Sequence, residues 1–248
     1  MIEIPSLRPE TRYGIPSADH LLFNRRYVVG YSYLFRQPRW ALELIDPDTM
    51  RMEDEDLERL DNFREDLRVP SKFRATLADY SGSGFDRGHL ISSADRLERR
   101  VVNSETFLMS NMSPQAPQMN RQIWRFLESA VRDLARQERY VEVYAICGPL
   151  FNIGDPIDVI GDNRVVVPDA FFKSVLAETA VASSSRTQLE LWTFAIPNKG
   201  TDQPLEAFIR PTSEIERWAG LSLWDRLTGM SAEKLKDATP AMWTDEDD

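Results

Sequence analysis

Two histidines, His20 and His89, are the only imidazoles in this chain of 248 residues, so any reaction needing a ring that titrates near neutral pH falls to one of them. His20, in SADHLLF, lies between apolar segments and reads as a surface or loop residue. His89 stands in residues 81–90 (SGSGFDRGHL), crowded with Asp86 and Arg87 among glycines. The glycine spacing is G-x-G-x-x-x-G, with no strand before it and no βαβ unit after it, which excludes a dinucleotide fingerprint. The glycines instead let the backbone turn sharply. In extended backbone, residues two apart share a side, so Arg87 and His89 point the same way. A guanidinium that neutralises a phosphate oxygen, beside an imidazole of ordinary pKa ~6.5 that takes a proton from water, suits phosphodiester chemistry. Read alone, the stretch favours a blander account, a histidine satisfied by Asp86 at a loop turn.

A second stretch, residues 111–128 (NMSPQAPQMNRQIWRFLE), sets Asn111, Gln115 and Gln118 ahead of a helical pattern and Asn120 near its start. An amide oxygen suits a hard Mg²⁺ ion that keeps most of its waters, and Glu128 could hold one of those waters. Eight residues of helix span about 12 Å, too far for Asn120 and Glu128 to touch one ion directly. Either the helix begins after Asn120 or Glu128 works through water. The simpler account of Arg121, Arg125 and Arg132 is a solvated helix face, with Glu128 and Arg132 as an i,i+4 ion pair.

These residues need elements to carry them. Residues 27–33 (YVVGYSY) and 40–45 (WALELI) are rich in β-branched and aromatic side chains and read as strands. So do 106–112 (TFLMSNM), ended by the prolines of SPQAP, and 141–147, 164–167, 171–177 and 189–196. Residues 122–139 place Ile123, Phe126, Leu127, Ala130, Val131 and Leu134 at helical spacing. Residues 52–67 are either a short solvated helix or an acidic loop. Short helices are expected within 213–227, and the tail from Asp237 is expected to be disordered. Trp124, Trp218 and Trp224 read as core. Strands exceed helices without a βαβ rhythm, which predicts a mixed α+β fold. No repeat, low-complexity segment or Gly/Ser linker divides the chain, so 1–248 reads as one domain.

Composition narrows the classes further. Hydrophobic residues are 42% and charged residues 28% of the chain, which argues against disorder and against a disulfide-dense scaffold. No run approaches ~18 apolar residues, so no membrane partner is expected. The N-terminus has no basic segment followed by an apolar core. The chain as numbered is therefore expected to be cytoplasmic, and mitochondrial or exported only with a targeting segment that is missing. A single cysteine, Cys147, excludes an internal disulfide and a multi-cysteine zinc site, and its place in VEVYAICG reads as a buried, inert thiol. The net charge of −10 looks wrong for a nucleic-acid protein, but residues 46–66 carry net −7 and residues 241–248 net −4, leaving the rest near neutral. Twenty-five of the 30 cations are arginine, whose fork suits phosphate oxygens.

SGFDRGHL, ETFLMSNMSPQ and MNRQIWRFLE in this order resemble the DNA/RNA non-specific endonuclease family, whose active site is a ββα-metal finger. The likeness extends to its endonuclease G branch through YGIP (13–16), NRRYVVGYS (24–32), PRWALE (38–43), VIGDNRVVVP (159–168) and FAIPN (194–198), covering a core of roughly 13–227. The resemblance implies a largely antiparallel central sheet with flanking helices. It implies His89 as general base, Asn120 as metal ligand and Arg87 near the scissile phosphate. Asn111 would order the site, Glu128 would act through metal-bound water, and Arg132 would face the same site. With Arg87 and Arg132, Arg121 is expected to bind substrate. The implied activity is Mg²⁺-dependent hydrolysis of DNA and RNA to 5′-phosphates and 3′-hydroxyls, with Mn²⁺ able to substitute, by a homodimer. Alternatives are a 5′-exonuclease or RNA-preferring nuclease of the same fold, or a non-catalytic nucleic-acid-binding scaffold. An inhibitor, an activating partner or a lost N-terminal targeting segment is expected to keep such an enzyme in check, and the two acidic segments are expected either to lie away from the cleft or to repel DNA until a partner covers them. One departure is Ile91-Ser92-Ser93 where the family often continues with Ala-Pro, which leaves the neighbouring loop's shape open.

Overall fold

Along the chain run β1 (His20–Asn24), β2 (Tyr27–Ser32), β3 (Gln37–Ile45), α1 (Leu77–Tyr80), β4 (Asp86–His89), α2 (Arg100–Thr106) and β5 (Met112–Gln115). They are followed by α3 (Pro117–Met119), a π-helical turn (Asn120–Trp124), α4 (Arg125–Arg136), β6 (Tyr140–Leu150), β7 (Val159–Ile160) and β8 (Val165–Val166). The chain ends with β9 (Ala170–Thr179), β10 (Gln188–Pro197), α5 (Thr212–Ala219) and α6 (Met230–Asp237). This computed structural model describes residues 8–46, 60–152, 154, 156–179 and 188–244.

Six strands form one sheet in the order β1-β2-β3-β6-β9-β10, every pair antiparallel, and helices pack on it, giving the α+β architecture expected. Strand alternation sends Val143, Ala145 and Cys147 of β6 to one face and Tyr144 and Ile146 to the other. Both faces are covered. Met119, Ile123, Trp124, Leu127 and Val131 of the helical run pack on the first, and Ile215, Leu221, Leu223 and Trp224 lie on the second. Because both faces are covered, β9 (AFFKSVLAET) is buried at nine of its ten positions and does not alternate apolar with polar side chains. Each Val, Leu or Phe so buried contributes about 1.5–3 kcal/mol relative to exposure. Cys147 is fully buried, and desolvation pushes its thiol up to about 12, the inert state expected.

Several boundaries differ from expectation. The strand expected at 106–112 is instead the end of α2 followed by a 3-10 turn (Met109–Asn111), and the strand starts at Met112. A short apolar run does not distinguish a strand from a buried turn, and Phe107 and Met109 are buried here without pairing in a sheet. Pro114 sits inside β5, tolerated because β5 pairs with β4 alone and needs no second ladder. The helix does not start at residue 122. Helical backbone begins at Pro117, in the favoured first position, and runs through the π-helical turn to Arg136. Phe126 is 61% exposed while Trp124 is buried, so the stripe facing the sheet is centred nearer Trp124 than the apolar spacing suggested. Half of the segment 52–67, residues 52–59, lies outside the described residues; from residue 60 onward it is a loop.

The segment after Asp237, expected to be disordered, is docked as far as Thr244. Trp192 donates its indole N–H to Ala241 O at 2.8 Å, and Gln137 donates to Thr244 O at 3.2 Å. Trp243 stands edge-on to Trp192 and Phe194. Residues 245–248 are outside the described residues.

Candidate active site

The antiparallel pair β4–β5 leads straight into the helical run, making a ββα unit against one face of the sheet. The register is Asp86↔Gln115, Arg87↔Pro114, Gly88↔Ser113 and His89↔Met112. A Cβ at Gly88 would stand 2.1 Å from Gln115 Oε1 and 2.3 Å from its Cγ, so glycine is what allows this closeness. Upstream, Gly82 and Gly84 take left-handed backbone (φ 69° and 83°), the sharp turning inferred from sequence.

Asn111 fixes where β4 ends. Its backbone oxygen accepts from Leu90 N–H at 3.0 Å, and its Oδ1 accepts from Ile91 N–H at 3.0 Å. Its Nδ2 donates to Ile91 O and Thr106 O, both at 2.9 Å. Fully buried and fully engaged, Asn111 lies behind the site and does not line it, so it positions His89's strand. Asn198 anchors the other junction. Its side chain accepts from Ala116 N–H at 2.7 Å and donates to Pro114 O and Pro168 O.

The remaining predicted residues come together. Arg87, His89, Asn120, Arg121, Glu128 and Arg132 line one cavity of about 400 Å³, with Ser92, Ser93 and Arg125. A neighbouring hollow shares Arg87, Asn120 and Arg121 and adds Asp61, Phe63 and Asp86. The His89 ring packs against Phe63 (centroids 5.5 Å) and edge-on to Phe107 (5.0 Å), and the Arg87 guanidinium lies 4.2 Å over the Phe63 ring. Phe63 and Asp61 belong to the acidic segment expected either to lie away from the cleft or to repel DNA until a partner covers it; its C-terminal end forms part of the rim.

Asp86 is not simply a turn partner for the histidine. Its Oδ2 accepts from Asn120 Nδ2 at 2.9 Å and from Arg121 Nε at 2.9 Å, and its Oδ1 accepts from Arg121 Nη2 at 2.7 Å. A carboxylate only accepts, so it dictates which end of the Asn120 amide faces it. Asn120 Oδ1, a hard oxygen donor, is turned away from Asp86. Arg121, expected at the substrate, is engaged here, as is Arg132, whose Nη1 meets Asp95 Oδ1 at 2.8 Å with only 14% of its side chain exposed.

Glu128 lies over a layer of buried charge. Glu43 and Arg96 pair at 2.8 Å, and Lys173, 1% exposed, stands 5.1 Å over the Trp124 ring. Desolvation is the largest influence on the Glu128 carboxyl and pushes it up to about 7; Lys173 and Arg132 pull it down, and Asp95 adds to the rise. Helix continues through both Asn120 and Glu128, so they stand about 12 Å apart along the axis and cannot both ligate one ion. Among the described residues no three His, Cys, Asp or Glu side chains form a metal-binding group. One amide oxygen, with a carboxyl two turns away, fits a hydrated hard cation and not a thiophilic or multi-carboxylate one.

Sequence reasoning missed Phe63, Asp95, Lys173 and the serines Ser92 and Ser93. Asp95 and the serines sit a few residues past DRGH, in the stretch that departs from the family pattern. Lys173, a lone cation within an apolar strand, was the one with a visible signal.

A ββα unit with Arg and His on its strand and an amide and a carboxyl on its helix defines a nuclease of the ββα type. Residues 6–229 match the family model described as DNA/RNA non-specific endonuclease. Human mitochondrial endonuclease G is 40% identical over 220 residues, covering 85% of this chain and 71% of its own. The mitochondrial nuclease of Saccharomyces cerevisiae is 34% identical, over 87% and 69% of the two chains. A chain from a crystal structure of the EndoG/EndoGI complex, described as the mechanism of EndoG inhibition, superposes with a TM-score of 0.81 at 31% identity, covering 90% and 92% of the chains. The chain belongs to the DNA/RNA non-specific endonuclease family and is a metal-dependent nuclease of endonuclease G-like type.

Proposed function

We propose that this nuclease is a Mg²⁺-dependent endonuclease that hydrolyses DNA and RNA without regard to sugar, leaving 5′-phosphate and 3′-hydroxyl ends. The observation that carries the reading is the Asn120 amide, oriented by Asp86 in a cavity it shares with His89 and Glu128. In the proposed mechanism, neutral His89 takes a proton at a ring nitrogen from the water that attacks phosphorus. The new P–O bond forms as the bond to the 3′-oxygen breaks, and that oxygen takes a proton from solvent water to become the 3′-hydroxyl. Arg87 binds a non-bridging oxygen, its guanidinium held flat by Phe63. Asn120 would hold the hydrated Mg²⁺, with Glu128 gripping one of its waters; the ion supplies charge neutralisation for the pentacovalent phosphorus and the departing oxygen. Mn²⁺ suits the same oxygen donors.

Contacts of this kind address the backbone, so cleavage is sequence-tolerant and weakened by salt. The reading includes assembly as a homodimer and restraint by an inhibitory protein. The likeness to EndoG from a complex with EndoGI supports the second of these. Incubating circular DNA and RNA with Mg²⁺, with Mn²⁺ and with chelator tests the whole proposal: open circles and RNA fragments form with metal, and nothing forms with chelator. Intact plasmid under every metal would overturn it, and attack on linear but not circular DNA would replace it with a 5′-exonuclease.

A further inference from the structure

The cavity carries more arginine than the chemistry assigned to it uses, and the four guanidiniums are not equivalent. Arg121 is held by both oxygens of Asp86, Arg132 by Asp95, and Arg87 by the face of Phe63. Arg125 lines the same cavity, is exposed, and makes no ion pair with any described residue. It stands four residues after Arg121 and three before Glu128, on the helix face that looks into the cavity. Along the axis it is five residues, about 7 Å, beyond Asn120. That offset is on the scale of one nucleotide step, so a strand whose reacting phosphate lies by Asn120 presents its neighbouring phosphate to Arg125.

Resting on the nuclease reading, we propose that Arg125 binds the phosphate next to the scissile one, while Arg121 and Arg132 hold the carboxylates of Asp86 and Asp95 and do not grip substrate. The ligand is a backbone phosphodiester of either sugar type. A cation contributed this way has no access to base edges, so it strengthens binding evenly across sequences. It also lets a strand register on the helix face before the reacting group is seated.

The test compares a long single-stranded oligonucleotide with a dinucleotide that has one phosphodiester and no terminal phosphate. Arg125→Ala is expected to raise KM on the oligonucleotide about tenfold, the scale of one charge-assisted hydrogen bond, with kcat within about twofold. The loss in kcat/KM on the dinucleotide should be smaller by about fivefold or more. Binding by a His89→Ala, Arg125→Ala protein should show a salt slope lower by about 1 than His89→Ala alone. Arg125→Lys should recover most of the oligonucleotide KM and Arg125→Gln should not. Equal losses on both substrates, or an unchanged KM with an unchanged salt slope, overturn the assignment. Failure of the parent protein to cut either substrate with any divalent metal would count against the nuclease reading itself. The salt slope, read from binding alone, would still decide for or against Arg125.

Discussion

Asp86→Asn isolates the step on which the proposed metal site depends, the direction of one amide. In the parent protein an acceptor-only carboxylate receives Asn120 Nδ2–H at 2.9 Å and leaves Oδ1 for the cavity. An asparagine at 86 offers both a donor and an acceptor, so either end of the Asn120 amide can face it and the preference is lost. A hydrogen bond to a charged group contributes about 1.5–3 kcal/mol. The Asp86 side chain retains 20% exposure, so water moderates the effect and the lower part of the range applies, about 1.5–2 kcal/mol. That corresponds to roughly 10–30-fold in affinity, in line with the 10–100-fold typical of residues that orient metal ligands. The assay is plasmid nicking against Mg²⁺ concentration. The half-saturating Mg²⁺ should rise about 10–30-fold, kcat at saturating metal should recover to within a few-fold, and Tm should hardly move. A variant with the parent's half-saturating Mg²⁺ would show that Asp86 does not set the amide, and the metal-site reasoning would lose its main support.

Three further outcomes follow from the same geometry. His89→Ala should slow cleavage by about 10²–10⁴-fold while DNA binding in chelator, measured by filter retention, stays within about twofold; cutting at the parent's rate would remove the ring from the chemistry. In the metal-free protein the Glu128 carboxyl, pushed up to about 7 chiefly by desolvation, keeps a proton that the unfolded chain, at its ordinary value of 4.5, has released. The folded state therefore binds more protons between these values, and stability falls as pH rises through the window. Glu43, also pushed up to about 7 by burial against the pull of Arg96, adds to the slope. Glu128→Gln should consequently give a shallower fall of Tm from pH 4.5 to 7 in chelator than the parent, and parallel curves would refute the assignment. Trp124→Ala should cost about 3–5 kcal/mol in urea unfolding and Phe126→Ala less than about 0.5 kcal/mol, because only the first ring is buried against the sheet; similar costs would mean the helix presents a different face.

Five of the six strands of the central sheet were legible because each carries enough β-branched and aromatic side chains to announce itself, even without alternation; the sixth, the short edge strand β1 (His20–Asn24), was missed, its histidine having been read as a surface or loop residue. The candidate site was legible at several of the residues that meet in the cavity, since only two histidines had to be weighed and one stood beside Asp and Arg. What sequence did not reveal is how the charges are shared. DRGH and NRQ are read as separate stretches, yet Asp86 joins Asn120 and Arg121 across 34 and 35 positions. Arginines that look alike along a helix differ once Asp95 and Asp86 have claimed two of them. The helix start was misplaced for a related reason. Pro117 and Gln118 give a helical beginning no apolar periodicity, so the pattern became visible only where Ile123 and Leu127 supply it.

An acidic protein that acts on a polyanion must separate its charges in space, and the fold accomplishes this at two depths. Beneath the cavity the carboxylates of Glu43 and Asp95 meet Arg96 and Arg132, and the Glu128 carboxyl near 7 carries less than a full negative charge at neutral pH. At the surface, Asp86 is covered by Arg121, and Arg87 and Arg125 face the cavity without a carboxylate partner among the described residues. A phosphate entering there meets the guanidiniums of Arg87 and Arg125 at close range, where a nearby charge counts for more than one beyond the screening length of about 8–10 Å.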